Sequence, residues 1–176
     1  MKLYGEKIVL REFMETDLMA MHSWVNDENV TKYLTMSVFP RTIEDSKRFL
    51  QAQLNRSSDE YINFVVALKN DIEQKYIGTV GLRSINYINR NCELAITIGV
   101  QDKQNSGCGT EAVNLILTYA FEQLNMRKVY LCLLDINEKA KRVYEKCGFT
   151  QSAEFKEHIF KHGRYYDLIF MEKIKS

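Results

Sequence analysis

The stretch that decides the fold reads Gln104-Asn105-Ser106-Gly107-Cys108-Gly109-Thr110 and leads directly into a helical pattern. Apolar residues recur behind it at helical spacing, which predicts a long helix over residues 110–124 with a wide buried face. The first turn of a helix has backbone N–H groups without intrahelical partners and carries the positive end of the helix dipole. A phosphate suits such a place, and glycines at 107 and 109 let the backbone approach it closely.

Strands and helices alternate on both sides of this loop. Upstream, strands are predicted at residues 61–69, 76–86 and 92–100, and the short turns between them predict an antiparallel meander. Downstream, the continuous apolar run 129–134 predicts a strand that is buried on both faces. The strand on each side of the long helix should therefore form a parallel βαβ unit.

Helix starts and a closing hairpin complete the pattern. Helices are predicted after Thr42 and after Asn137, and strands at 155–160 and 165–171 flank a His162-Gly163 turn. We expect an α/β (α+β) fold with a mixed, largely antiparallel sheet, a parallel middle pair and helices on both faces. Neither a linker nor a repeat interrupts residues 1–176, so we expect one domain.

Composition narrows the functional classes. The 176 residues are 45% hydrophobic, and 24 basic against 23 acidic residues leave a formal charge of +1. This balance disfavours nucleic acid or an anionic membrane as the main partner. The four cysteines form no C-x-x-C pair, which favours reduced thiols and a cytoplasmic location. His158 and His162 lie in a predicted hairpin, so we expect no metal site.

The glycine loop also fits a dinucleotide-binding fingerprint. Gly107-x-Gly109-x-x-Ala112 matches its glycine spacing, and Asp135 stands where its ribose-binding acid would be. That fingerprint requires its first glycine at the end of a strand, whereas the predicted strand here ends at Val100. The remaining chain also predicts a helix and a hairpin instead of further βαβ units. We therefore disfavour a dinucleotide site, and a loop with two turn glycines and no ligand is the other alternative.

Two motifs in order resemble those of the GNAT acetyltransferases. The loop is similar to their Q/R-x-x-G-x-G/A sequence, and the segment Asn137-x-x-Ala140-x-x-x-Tyr144-x-x-x-Gly148-Phe149 resembles their second motif. Leu10-Arg11-Glu12 with Asp17, Trp24-x-Asn26-Asp27, and the hairpin at 162–167 are similar to the ribosomal-protein (RimJ/RimL) branch. The segment 77–90 also resembles spermidine N-acetyltransferases, but Gly81, Arg83 and Ser84 stand where those enzymes carry acidic residues.

The resemblance implies acetyl-CoA as the cofactor, held in a V-shaped opening between the two parallel strands. Its pantetheine arm would bond to the strand near Ile98 and Val100, as an added strand does. The remaining cofactor residues implied are Gln104, Asn105, Ser106, Gly107, Cys108, Gly109, Thr110 and Asn137. Asn137 is equally explained as a helix cap.

Acetyl transfer to an amine needs a base, an acid and a site for the oxyanion. An alkylamine with a pKa of about 10.4 is neutral in roughly one molecule in 2,500 at pH 7. A carboxylate can take its proton directly or through water, and Glu93 is the candidate, with a water chain as the alternative. The family places an acid for the leaving thiolate at Tyr144, and backbone N–H groups at a bulge near Ile98 to Val100 would face the oxyanion. Glu93 is also explained as an ordinary exposed residue of a strand, and Tyr144 is also explained as an ordinary tyrosine of the core. A covalent acyl-cysteine route through Cys108 or Cys147 is disfavoured.

The acceptor is less constrained than the cofactor. Trp24, Asp27, Tyr33 and Tyr87 are the candidate substrate-binding residues, since aromatic and acidic groups suit a cation. The acceptor should enter opposite the cofactor, beside the first two helices and the terminal hairpin. A protein N-terminus, a polyamine and a small amine all remain open. The alternative function is a non-catalytic acyl-CoA-binding regulatory module, and a homodimer is possible.

Overall fold

The computed structural model describes residues 1–35, 39–56, 58–100 and 106–175, and within them one eight-stranded sheet organises the chain. The strand order is β1-β2-β3-β4-β5-β6-β8-β7. The strands are β1 (Leu3–Tyr4), β2 (Ile8–Arg11), β3 (Ile62–Leu68), β4 (Tyr76–Asn86), β5 (Asn91–Ile98), β6 (Lys128–Leu134), β7 (Thr150–Lys161) and β8 (Arg164–Ile174).

Helices pack on both faces of this sheet, as the sequence predicted. They are α1 (Leu18–Val25), α2 (Glu28–Thr31), α3 (Ile43–Leu54), α4 (Cys108–Thr118) and α5 (Glu138–Lys146). A large apolar cluster joins the sheet to α4 and α5, and a smaller one, which includes Phe13, Met21 and Leu50, joins it to α1 and α3. The sheet is thus the wall between two helical layers.

The antiparallel meander and the parallel pair are both present. β3 pairs antiparallel with β4, and β4 with β5, while β5 pairs parallel with β6. The parallel pairing covers only Asn91 to Glu93 of β5 and Lys128 to Tyr130 of β6. Beyond Glu93 the two strands separate, which produces the V-shaped opening that the family resemblance implied.

Local sequence explains how the two helices beside this opening begin and end. Gly107 takes a left-handed φ of 89° immediately before α4, which therefore starts two residues before the predicted Thr110. Asn137 caps α5 by accepting a hydrogen bond from the backbone N–H of Ala140 at 3.2 Å. Gly148 ends that helix with a φ of 87°, a conformation that side-chain-bearing residues rarely adopt.

The terminal hairpin is longer than predicted. β7 begins at Thr150 and is exposed along almost its whole length, because it is the edge strand and has β8 on one side only. Exposed polar residues give no periodic signal, so the sequence showed only its apolar middle. In the described ranges, no helix has the length and apolar character needed to cross a membrane.

Candidate active site

The opening between β5 and β6 contains a cavity of about 680 Å³, here called the splay cavity. Its walls come from both strands, from the start of α4, from α5 and from the segment after α2. Gly107, Gly109 and Thr110 line the end at α4. The described part of the predicted cofactor loop therefore lies at the cavity.

The loop offers backbone instead of side chains at this end. Gly107 is the N-cap of α4 and contributes no side-chain cap bond. The Cys108 side chain is buried in the core, and the Ser106 carbonyl accepts a hydrogen bond from Lys7 Nζ at 3.2 Å. The helix start thus presents N–H groups and the positive dipole end, as a phosphate requires. Gln104 and Asn105 lie outside the described residues.

Basic side chains add positive charge to the splay cavity. Lys139, Arg142 and Lys146 of α5 line it, together with Arg83 of β4. Among the described residues of its wall, none is acidic. A cofactor with several phosphates fits such a lining. We did not select the three α5 residues from the sequence, although their spacing of three and four residues places them on one side of the helix.

The strand end next to the loop corrects one expectation. The backbone N–H groups of Gly99 and Val100 both donate to the carbonyl of Ile77, at 3.0 and 3.2 Å. The predicted bulge is therefore present, but its two N–H groups are engaged and do not face an oxyanion. Ile98 lines the splay cavity, whereas Val100 packs against the core. From Leu94 onward, the edge of β5 that faces β6 has no strand partner among the described residues, so a pantetheine arm could add there.

Tyr144 of α5 reaches the splay cavity from a buried position. It is 8% exposed and packs edge-on against Phe149, with 5.8 Å between the ring centroids. Within the described chain its hydroxyl has no hydrogen-bond partner. Burial raises the pKa of the phenol, and the neighbouring thiols of Cys132 and Cys147 add to the rise. The phenol is therefore protonated at neutral pH.

Glu93 lies where the two parallel strands separate. It faces Arg83 directly across β4 and β5, and its Oε1 accepts a hydrogen bond from Arg83 Nη2 at 2.6 Å. The thiol of Cys132, which lines the splay cavity, lies 3.8 Å from the same oxygen. Cys132 thus separates Glu93 from Tyr144. The sequence did not reveal that the candidate base would have an arginine partner.

A second cavity, of about 810 Å³, lies under α1 and α3 and is here called the α1/α3 cavity. It shares Arg83, Ala95, Ile96 and Thr97 with the splay cavity, so the two meet at β5. Trp24 forms part of its wall and donates a hydrogen bond from Nε1 to the Tyr76 hydroxyl at 2.7 Å. Gly99 is needed for this packing, since a Cβ there would lie 2.6 Å from Trp24 Cγ.

The other candidate substrate residues lie apart from Trp24. Asp27 caps α2 by accepting a hydrogen bond from Asn29 N at 2.9 Å. Tyr33 lines the splay cavity, and its carbonyl accepts a hydrogen bond from Asn137 Nδ2 at 3.4 Å. Tyr87 is exposed in the β4–β5 turn and belongs to the wall of neither cavity. Of the terminal hairpin, no described residue lines the α1/α3 cavity.

Comparisons with known proteins agree with this geometry. The sequence profile of the acetyltransferase (GNAT) domain matches residues 7–150. Spermidine N(1)-acetyltransferase from Vibrio cholerae is 30% identical to this chain, over 98% of this chain and 95% of the relative's length. Spermidine N(1)-acetyltransferase from Escherichia coli K12 is also 30% identical, over 95% of this chain and 86% of the relative's length. The crystal structure of spermidine N-acetyltransferase from Vibrio cholerae in complex with CoA and spermine superposes with a TM-score of 0.85, at 29% identity, over 97% of this chain and 96% of that chain. The chain therefore belongs to the GNAT acetyltransferases and is an N-acetyltransferase that takes its acetyl group from acetyl-CoA.

Proposed function

We propose that this enzyme brings its two substrates together at β5 and transfers the acetyl group by direct attack in a ternary complex. Acetyl-CoA would occupy the splay cavity, and a primary amine would enter through the α1/α3 cavity. The observation that carries this proposal is that the two cavities, lined by helices from opposite faces of the sheet, share Ala95, Ile96 and Thr97.

The residues of the splay cavity fit acetyl-CoA, which supplies the thioester that the amine attacks. The N-terminus of α4, from Gly107 to Thr110, would hold the pyrophosphate with the loop before it. Lys139, Arg142 and Lys146 would neutralise phosphate charge from the opposite wall. The part of β5 near Ile98, which lines the splay cavity, would bind the pantetheine amides, and Asn137 would orient the start of α5 beside them.

Acid–base chemistry would divide between Glu93 and Tyr144. The ammonium form of the acceptor gives one proton to the Glu93 carboxylate and becomes a nucleophile. As the C–N bond forms and the C–S bond breaks, Tyr144 donates its phenolic proton to the thiolate. The second proton of the attacking nitrogen leaves to solvent, Tyr144 recovers a proton from solvent, and Glu93 releases to solvent the proton that it took. The sum is an amide, free CoA and one released proton.

The residues of the α1/α3 cavity constrain the acceptor class less than those of the splay cavity constrain the cofactor. Spermidine is a candidate because the relatives named above are spermidine N-acetyltransferases and match nearly the whole chain. The α1/α3 cavity also contains the carboxylates of Asp45 and Glu60. A protein N-terminus or a compact amine would fit the same cavity, which has Trp24 and Tyr61 in its wall.

Thiol release from acetyl-CoA against a panel of amines tests the proposal. We expect turnover with at least one primary amine, a melting temperature that rises with cofactor, and a Tyr144→Phe variant that is slower by about 10²-fold. The matched control is Tyr87→Phe, in an exposed turn, which should keep full activity. Stabilisation by the cofactor with no turnover on any amine would favour the regulatory module instead.

Location and assembly belong to the proposal as well. We place the enzyme in the cytoplasm, because all four cysteines are free thiols. We assign it to the RimJ/RimL-like branch as a single domain over residues 1–176. The long exposed edge strand β7 supports a homodimer, since an unpaired strand edge readily adds another strand.

A further inference from the structure

Arg83 lines both cavities and forms an ion pair with Glu93, which belongs to the wall of neither. The two residues are directly opposite in the β4–β5 ladder, and Arg83 Nη2 lies 2.6 Å from Glu93 Oε1. The pair is the last regular one before a register shift, where Ser84 has a left-handed φ of 51°. Such bulges redirect neighbouring side chains and are frequent beside active sites.

The pair is open to an incoming ligand. The Arg83 side chain is 53% exposed and that of Glu93 is 16% exposed, so the guanidinium is the more accessible member of the pair. Arg83 belongs to the wall of both cavities. A half-exposed ion pair is held weakly, because water screens it, and a ligand with matching charges can exchange with either member.

The remaining charges of the α1/α3 cavity do not form an acidic trough. Its wall contains Arg41 as well as Glu60 and Asp45, and the carboxylate of Asp45 is already hydrogen-bonded. Its oxygens accept hydrogen bonds from the Thr42 backbone and hydroxyl and from the Arg48 guanidinium. A long polycation would therefore meet two arginines and few available carboxylates. The rest of the wall is apolar or aromatic and includes Met21, Val25 and Phe49.

We infer that the acceptor is an amino carboxylate with an apolar or aromatic body. It binds by breaking the Arg83–Glu93 ion pair and forming an ion pair with each of the two residues. The substrate carboxylate binds the Arg83 guanidinium, and the substrate ammonium takes the Glu93 carboxylate that this frees. Arg83 is then the residue that determines specificity, and the base becomes available only when a matching substrate arrives. This inference rests on the proposed function and deepens it by naming the acceptor class.

The test compares matched acceptors by thiol release: L-phenylalanine, L-phenylalaninamide, phenethylamine and spermidine. We expect kcat/KM for the amino acid to exceed that for the amide and the amine by at least about 10-fold. In Arg83→Gln this ratio should fall to within about twofold of unity, and in Arg83→Lys it should be partly kept. Because the ratio compares two acceptors on one protein, a general loss of activity or stability in the variant does not change its meaning.

Arg41→Gln is the matched control, because Arg41 lines the same cavity but has no contact with Glu93. Its ratio should equal that of the wild type. Equal rates for amino acid and amide in the wild type, preference for spermidine, or collapse of the ratio in Arg41→Gln instead of Arg83→Gln would each overturn the inference while leaving acetyl transfer intact. If no amine is acetylated although acetyl-CoA raises the melting temperature, the proposed function itself fails.

Discussion

Two arginine–carboxylate pairs in the same sheet have opposite surroundings. Arg11 of β2 and Asp17 before α1 are each 3% exposed and bind through two hydrogen bonds, of 2.7 and 2.8 Å. Arg83 and Glu93 meet through one bond of 2.6 Å, with the arginine half in solvent. The first contact is bidentate and the second is a single bond, and the pairs also differ in burial and in the number of further partners.

The buried pair has every group satisfied by neighbouring backbone. Arg11 also donates to the carbonyls of Glu12 and Gln74, both at 2.9 Å, and Asp17 accepts from the backbone N–H of Met14 at 2.8 Å. These bonds join β2, the turn before β4 and the entry to α1. Besides its own strands, the Arg83–Glu93 pair has a contact with the Cys132 thiol of β6, at 3.8 Å from Glu93 Oε1, and a ligand can reach the half-exposed arginine. The difference indicates a structural role for the first pair and a functional one for the second.

Asp17→Asn is expected to have the largest effect, on stability. The variant leaves the Arg11 cation buried without a charged partner, which typically costs about 3–5 kcal/mol in the free energy of unfolding. Urea denaturation measures it. Glu44→Gln is the control, since Glu44 pairs with Lys47 at the surface and should contribute about 0.5 kcal/mol or less. A loss below about 1 kcal/mol in Asp17→Asn would remove the contrast between the two pairs.

Glu93→Gln should affect catalysis and leave the fold intact. We expect kcat/KM to fall by about 10²-fold, equivalent to about 2.7 kcal/mol, because the amide cannot take the proton of the acceptor. The pH–rate profile of the variant should also differ from that of the wild type. A profile identical to that of the wild type would show that the proton leaves by another path, and a large fall in melting temperature would mean that this pair is structural too.

The contrast also explains what the sequence could reveal. The Leu10-Arg11-Glu12 segment and Asp17 were noticed only through resemblance to a family, and their partnership is invisible in the sequence because it depends on a turn of the chain at Met14. The order of strands and helices was predictable, since apolar periodicity and the capping residues Thr42 and Asn137 are local signals. The Asn137 cap stands where the pattern placed it, whereas the left-handed conformation of Gly107 was not predicted.

The site was predictable in its cofactor half and less so in its acceptor half. A helix N-terminus after a glycine loop has one geometry, so the position of Gly107 to Thr110 follows from the sequence. The acceptor wall depends on which residues of α1, α3 and β4 meet across the sheet. Tyr87 was selected for its aromatic ring, yet it lies in an exposed turn, whereas Arg83 was noticed only as a departure from an acidic pattern. The pairing of Arg83 with Glu93 depends on the register of β4 and β5, which the types of side chain alone do not reveal.

Arg11→Lys should lower the free energy of unfolding by an intermediate amount. A lysine keeps the charge but cannot span both oxygens of Asp17 and the carbonyl of Gln74, so we expect a loss of about 1–3 kcal/mol in the free energy of unfolding. The matched change Arg83→Lys, measured in the same way, should cost no more than about 0.5 kcal/mol. If both lysine variants lose the same amount, guanidinium geometry does not distinguish the pairs.

Arg83→Gln should have the smallest effect on folding of the four. The guanidinium is half exposed and Glu93 keeps contact with solvent, so the free energy of unfolding should change by less than about 1 kcal/mol. Because the Debye length falls from about 10 Å at 0.1 M to about 3 Å at 1 M salt, this small difference should shrink further at high salt. Urea denaturation at both salt concentrations measures it. A loss as large as that of Asp17→Asn, unchanged by salt, would make the Arg83–Glu93 pair part of the framework of the sheet and would remove the reason to regard it as exchangeable with a ligand.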